Sequence, residues 1–231
     1  MRIAIITARG GSKRIPRKNI KPFCGKPILA YSIQAAKDSG IFDEVMVSTD
    51  DEEIARTARE YGAEVPFLRS EATSNDYAIT ADVLKEVVEE YEKRGRSFDQ
   101  LCCIYPTAPF VTREKLTRAF ELLESSGADS VVPVVAFSYP PMRGLVIREG
   151  FAQMNWPEHH ATRSQDLEVL YHDCGQFYVV RTTALLREKT LFCKKTAPLV
   201  LSELEVQDID TEVDWELAEL KYELLKRRGL L

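Results

Sequence analysis

Short apolar runs recur between segments of helical period along this chain, and that alternation constrains its fold more than any other property. Ile3-Ala4-Ile5-Ile6, Glu44 to Thr49, Leu101-Cys102-Cys103-Ile104-Tyr105, Ser130 to Val135 and Phe177-Tyr178-Val179-Val180 are each too short for a buried helix. Between them lie stretches with apolar residues three and four apart, such as Val83, Val87, Val88 and Tyr91. Strand, helix, strand in series predicts βαβ units. The expected class is α/β, a Rossmann-like, mostly parallel, doubly wound sheet.

With 231 residues and 45% hydrophobic content, the chain can build one core, so residues 1–231 are read as a single domain. Helices are expected from Pro27 to about Gly40, from an Asp50-Asp51 cap to about Tyr61, over 79–94, from a Thr112 cap to about Ser125, and from Glu212 to Arg228. Val65-Pro66-Phe67-Leu68 reads as a short extended piece. Between about 137 and 172, Tyr139-Pro140-Pro141, Gly144, Gly150 and Trp156-Pro157 interrupt every periodicity, which predicts an excursion from the sheet. Its Phe137, Tyr139, Met142, Leu145, Phe151 and Trp156 are too apolar to stay wet, so the excursion is expected to bury itself in a two-fold homodimer.

Composition narrows the partners. No apolar run reaches the roughly 18 residues of a membrane span, and Met1-Arg2 leads straight into a strand, so the chain is read as cytoplasmic with no membrane partner. Five cysteines, odd in number and without CxxC spacing, indicate neither a disulfide framework nor a zinc site. They read as small buried hydrophobes. The formal net charge of −5, with no basic face beyond the first loop, argues against nucleic acid.

That first loop is the strongest chemical signal. The first strand, about residues 2 to 8, empties into Arg9-Gly10-Gly11-Ser12-Lys13-Arg14-Ile15-Pro16-Arg17-Lys18-Asn19, where five cations crowd two adjacent glycines. Glycines admit close backbone approach to an anion, and local positive charge on an acidic chain points to a small polyphosphate. Arg14 and Arg17 are read as free to face water. The loop is no Walker A sequence and lacks the GxGxxG of dinucleotide folds, which disfavours a nicotinamide oxidoreductase. After the strand at 101–105, Pro106-Thr107-Ala108-Pro109 forces the backbone out of the ladder at the edge where such sheets bind ligands.

The second signal is Gln207-Asp208-Ile209-Asp210-Thr211-Glu212-Val213-Asp214. In extended backbone, residues two apart share a face, so Asp208 and Asp210 would project together while Ile209 enters the core. A close pair of carboxylates is costly without a cation, and Mg²⁺ takes carboxylates with phosphate oxygens as its ligands. Asp208 and Asp210 are therefore the candidate metal residues. Asp214 fits a capping box with Thr211 better than a metal site.

These residues carry a resemblance. Ala8 to Lys13 with Lys18-Asn19, Gly25-Lys26-Pro27, Val47 to Asp50, Arg69, Pro106 to Pro109 and Asp208-Ile209-Asp210 are similar, in order and over nearly the whole chain, to the CMP-sialic acid synthetases, cytidylyltransferases that activate nonulosonic acids. Phe137 to Pro141 and Asp173-Cys174-Gly175-Gln176-Phe177-Tyr178 resemble the pseudaminic acid members. The resemblance implies transfer of CMP from CTP to the anomeric hydroxyl of a nonulosonic acid, releasing pyrophosphate. It implies that Ala8, Arg9, Gly10, Ser12, Lys13, Lys18, Asn19, Arg69, Pro106 and Thr107 form the nucleotide site. Arg9, Lys18, Asp208 and Asp210 would be catalytic, the two aspartates through Mg²⁺. Tyr105, Arg143, Arg163, Gln176 and Tyr178 would meet the sugar, the two arginines facing its carboxylate, often from a neighbouring subunit.

The family's common Gln-Pro-Thr-Ser-Pro stands here as Tyr105-Pro106-Thr107-Ala108-Pro109, and its Asn-Gly-Ala as Cys174-Gly175-Gln176. Losing an amide and a hydroxyl suits a less hydroxylated sugar such as pseudaminic acid. N-acetylneuraminate and legionaminate are the alternatives within the class; a nucleotide-sensing protein without turnover is the alternative outside it. Histidine catalysis is not expected: His159 and His160 are adjacent, and His172 reads as a hydrogen-bonding neighbour of Asp173.

Overall fold

The computed structural model describes residues 1–75 and 77–231. In chain order the strands are β1 (Arg2–Thr7), β2 (Pro22–Phe23), β3 (Lys26–Pro27), β4 (Glu44–Ser48), β5 (Gln100–Ile104), β6 (Ser130–Ala136), β7 (Leu145–Arg148), β8 (Phe151–Met154), β9 (Tyr171–Asp173), β10 (Phe177–Arg181) and β11 (Thr196–Val200). The helices are α1 (Ile28–Ser39), α2 (Glu52–Glu60), α3 (Glu71–Ser74), α4 (Thr80–Lys93), α5 (Arg113–Ser126), α6 (Thr182–Glu188) and α7 (Glu212–Arg227). The main sheet runs β11-β6-β10-β5-β1-β4, with β9 paired to β6. β1 is parallel to β4 and β5, and β11 to β6, whereas β10 runs antiparallel between β5 and β6. The sheet is mixed and mostly parallel, as the alternation of elements predicts.

Strand periodicity sorts the core. Ala4 and Ile6 pack with Leu29, Ile33, Ile54, Leu116 and Phe120 from α1, α2 and α5 on one face. Ile3 and Ile5 pack with Leu84, Val87, Val88, Ala184 and Leu185 from α4 and α6 on the other. Helices on both faces leave the loops at the carboxyl ends of β1, β4 and β5 free to meet ligand. A third cluster joins Ile15, Phe23, Tyr31, Phe110 and Ile209 to Trp215, Ala218 and Leu225 of α7. That cluster anchors both chemical segments on one scaffold.

The caps act as their chemistry dictates. Asp51 accepts from the amides of Glu53 and Ile54 to start α2, Thr112 accepts from Lys115 N to start α5, and Thr211 with Asp214 forms a complete capping box on α7. Residues 65–68 are not a strand. The extended pairing there is a single bridge between Met46 and Glu64, because Pro66 lacks a ladder donor. β11 and α6, by contrast, fall where no periodicity separates them from loop.

The excursion leaves the sheet after β6, forms the β7-β8 hairpin and returns through β9, which pairs with β6 from Val134 to Ala136. Tyr139, Leu145, Ile147 and Phe151 are 86, 63, 80 and 71% exposed. Of the five free cysteines, Cys102, Cys103, Cys174 and Cys193 are buried and Cys24 is partly so. Among the described residues no helix is long and apolar enough to cross a membrane.

Candidate active site

The loop after β1 and the segment before α7 meet in one cleft. A cavity of about 530 Å³ is lined by Arg9, Ser12, Lys13, Lys18 and Asn19 from the basic loop, Tyr105, Pro106 and Thr107 after β5, and Asp208 and Asp210. The approach is close: Lys18 Nζ donates to the carbonyl of Ile209 at 2.6 Å and lies 3.7 Å from Asp210 Oδ1. Arg14 Nη1 sits 2.8 Å from Asp210 Oδ2. Arg14 is exposed to water, as expected, and pairs with Asp210 at the mouth of the cleft.

Ile209 is 1% exposed, in the cluster with Phe110 and Trp215, and its burial turns both neighbouring carboxylates to the opposite side. Both aspartates line the same cavity, as extended backbone requires. The Asp208 carboxyl is pushed above the usual aspartate range, first by the protein crowded around it and then by the like charge of Asp210. Among the described residues no three His, Cys, Asp or Glu side chains form a metal cage. A Mg²⁺ that arrives on phosphate oxygens needs only one or two protein carboxylates, so this donor set fits it.

The turn itself is built by specific contacts. Gly10 N–H donates to Asp50 Oδ1 at 2.9 Å, so Asp50, and not an open cradle, takes that amide. A Cβ on Gly10 would come within 2.8 Å of Asp51 Oδ2, whereas one on Gly11 would meet nothing within 4 Å. Arg17, in the left-handed conformation at φ 55, donates to Asp51 at 2.5 Å and also pairs with Glu53. That grip, working against burial and together with the helix amides, holds the Asp51 carboxyl down to about 2. The reading of Arg17 as solvated is corrected: it bolts the loop to α2.

Several expected ligand residues also make contacts within the chain that hold the site's backbone. Ala8 is buried and donates its N–H to Ser48 O at 2.9 Å. Asn19 lines the cleft, yet its Nδ2 is spent on the carbonyl of Arg9 at 2.8 Å. Arg69 is buried off the cleft lining, bonded to Ser48 Oγ at 3.1 Å and Ser48 O at 2.7 Å. Gln176 is 1% exposed, with Nε2 on Glu205 O at 2.7 Å and Oε1 buried without a partner among the described residues. Tyr178 stacks edge-on against Tyr105 at 5.5 Å and donates to Asp173 at 2.5 Å. Arg143 donates to Thr162 O at 2.9 Å and Arg163 pairs with Asp166 at 2.8 Å, both on the excursion and off the cleft.

A second cavity of about 450 Å³ adjoins the first across Asp208 and Asp210, and Phe137, Ser138, His172 and Lys221 help to line it. None of these was picked out as a site residue from sequence. His172 stacks on Phe137 at 4.7 Å and places Nδ1 2.9 Å from Asp173 O, the local bond that its position suggested. Its place beside the acid pair depends on β9 pairing with β6, which no local signal reveals.

Fold and site together define a nucleotidyltransferase: a phosphate-sized basic turn faces a pair of carboxylates at the carboxyl edge of a mostly parallel sheet. The chain belongs to the cytidylyltransferase family, whose pattern it matches over residues 3–225. It is 41% identical to a pseudaminic acid cytidylyltransferase of Campylobacter jejuni over 96% of both chains. It is 37% identical to the CMP-N,N'-diacetyllegionaminic acid synthase of Legionella pneumophila, again over 96% of both. The solved structure of CMP:2-keto-3-deoxy-manno-octonic acid synthetase complexed with CTP superposes with a TM-score of 0.70 at 16% identity, covering 98% of this chain and 99% of that one.

Proposed function

We propose that this enzyme transfers CMP from CTP to the anomeric hydroxyl of pseudaminic acid, releasing pyrophosphate. The observation that carries the reading is the meeting of the basic turn and the acid pair around one cleft. In the reaction the anomeric hydroxyl gives its proton to one of the two aspartates, its oxygen forms a bond to the α-phosphorus, and the bond from that phosphorus to the pyrophosphate oxygen breaks. Arg9, Ser12, Lys13 and Lys18 hold the triphosphate and offset the charge that grows on the departing pyrophosphate. Pro106 and Thr107 border the nucleotide, and Asn19 and Arg69 keep the loop and the end of β4 in place beneath it. Asp208 and Asp210 hold Mg²⁺, which supplies charge neutralisation at the phosphate oxygens.

The adjoining cavity is the natural seat for the sugar, since it shares Asp208 and Asp210 with the cleft that holds the nucleotide. Tyr105, packed on Tyr178, lines the first cleft where the family's common residue is an amide, and this supports a deoxygenated acceptor reaching in from the adjoining cavity. Arg143 and Arg163 reach a sugar carboxylate only from a second copy, and the exposed apolar hairpin supports such a homodimer. The free buried cysteines and the use of CTP fit a cytoplasmic enzyme.

The 37% identity to a legionaminate enzyme makes that sugar the second reading. Purified protein incubated with CTP, Mg²⁺ and each of pseudaminic acid, N,N'-diacetyllegionaminic acid and N-acetylneuraminate should release pyrophosphate fastest with the first. A preference for either of the others reassigns the substrate. Asp208→Asn and Asp210→Asn should each lower the rate by about 100-fold or more, and unchanged rates remove the metal assignment.

A further inference from the structure

The segment that carries the acid pair is held from behind by an ion pair between a buried lysine and a partly exposed glutamate. Lys115 of α5 is 4% exposed, and its Nζ donates to Phe110 O at 2.8 Å and lies 3.0 Å from Glu205 Oε1. Glu205 Oε2 accepts from Ser202 Oγ at 2.8 Å, and Glu205 O accepts from Gln176 Nε2 at 2.7 Å. From the other side, Lys221 of α7 donates to Val206 O at 2.8 Å and Glu203 O at 3.2 Å. Two helices thus clamp residues 203–206, which end two residues before Asp208.

The network also meets the aspartates' other supports. Phe110, whose carbonyl Lys115 takes, packs in the cluster that buries Ile209 between the two carboxylates. Gly175, next to Gln176, lies so close that a Cβ there would stand 3.6 Å from the Asp208 carboxyl carbon. Burial lowers the affinity of the Lys115 amine for its proton, and Glu205 opposes that loss. An ion pair with one buried partner adds little stability over an apolar pair of similar volume, but it directs the atoms that it bonds.

We infer that Lys115 is a positioning residue that fixes Asp208 and Asp210 in register for the metal, acting through Glu205 and the Phe110 carbonyl. This rests on the metal assignment proposed above. Supporting bonds behind metal ligands are worth about 10-fold to 100-fold in affinity or activity when removed.

The test uses the full-length protein as wild type, as Lys115→Met, as Lys115→Met with Glu205→Met, and as Asp208→Asn. Mn²⁺ binding is followed by electron paramagnetic resonance with the metal alone, alongside kcat and the KM for CTP. The double variant carries no orphaned charge and should keep a cooperative unfolding transition. Both Lys115 variants should bind Mn²⁺ about 10-fold or more weakly and lose kcat by a similar factor, with the KM for CTP changed less than about threefold. A folded double variant with wild-type Mn²⁺ affinity and kcat overturns the inference while a weakened Asp208→Asn leaves the metal reading standing. Wild-type Mn²⁺ affinity in Asp208→Asn overturns the metal reading, and the role of Lys115 with it.

Discussion

At the scale of single residues, the two loop glycines have different reasons to be there. Gly10 is pressed against Asp51, which cannot yield because it caps α2 and grips Arg17, whereas Gly11 faces open space. Gly10→Ala should therefore cost about 1–3 kcal/mol in denaturant unfolding and raise the KM for CTP as the loop shifts. Gly11→Ala should leave unfolding within about 0.5 kcal/mol. Equal losses at both positions would show that backbone freedom, and not the contact with Asp51, governs the turn. Sequence reading identified the glycines and cations as a unit, but it could not see that Arg17 and Arg14 are committed. Their partners, Asp51 and Asp210, are distant in sequence, and an ion pair leaves no local pattern.

At the scale of elements, α7 organises the site through its first turn. Thr211 and Asp214 close the capping box, and Asp214 Oδ2 also accepts from Asp210 N at 3.1 Å, so the cap that starts the helix restrains a candidate metal residue. Lys21 reaches Glu212 of the same turn at 2.5 Å, which ties the end of the basic loop to it. Thr211→Ala should cost about 1 kcal/mol of stability and raise the Mg²⁺ concentration for half-maximal pyrophosphate release. A stability loss with an unchanged Mg²⁺ requirement would separate the cap from the site. The capping box was legible because its spacing is local. β10 was legible as a strand, but its antiparallel placement between β5 and β6 was not, since strand order depends on which surfaces pack.

At the scale of the whole molecule, the apolar hairpin β7-β8 is the feature that one chain leaves unfinished. Leu145 and Ile147 share a face of a solvated strand, and Phe151 pairs across from Arg148. The proposed homodimer would bury that surface against a second copy, and a two-fold interface would present the same patch twice. Ile147→Glu with Phe151→Glu should convert a dimer into a monomer in sedimentation velocity, and should raise the KM for the sugar if Arg143 and Arg163 act across the interface. A wild-type protein that sediments as a monomer at micromolar concentration, with full activity, ends this proposal.

By itself the sequence determined the sheet class, the caps and the burial of Ile209 between two outward carboxylates, because each rests on periodicity or on contacts a few residues apart. Only the tertiary structure decided that Lys18 and Arg14 reach the acid pair, that Arg69 and Gln176 stand behind the cleft instead of in it, and that His172 and Lys221 border a second chamber. Those facts depend on how β9, β10, α5 and α7 pack around the sheet. Packing brings together residues whose separation along the chain hides their relation.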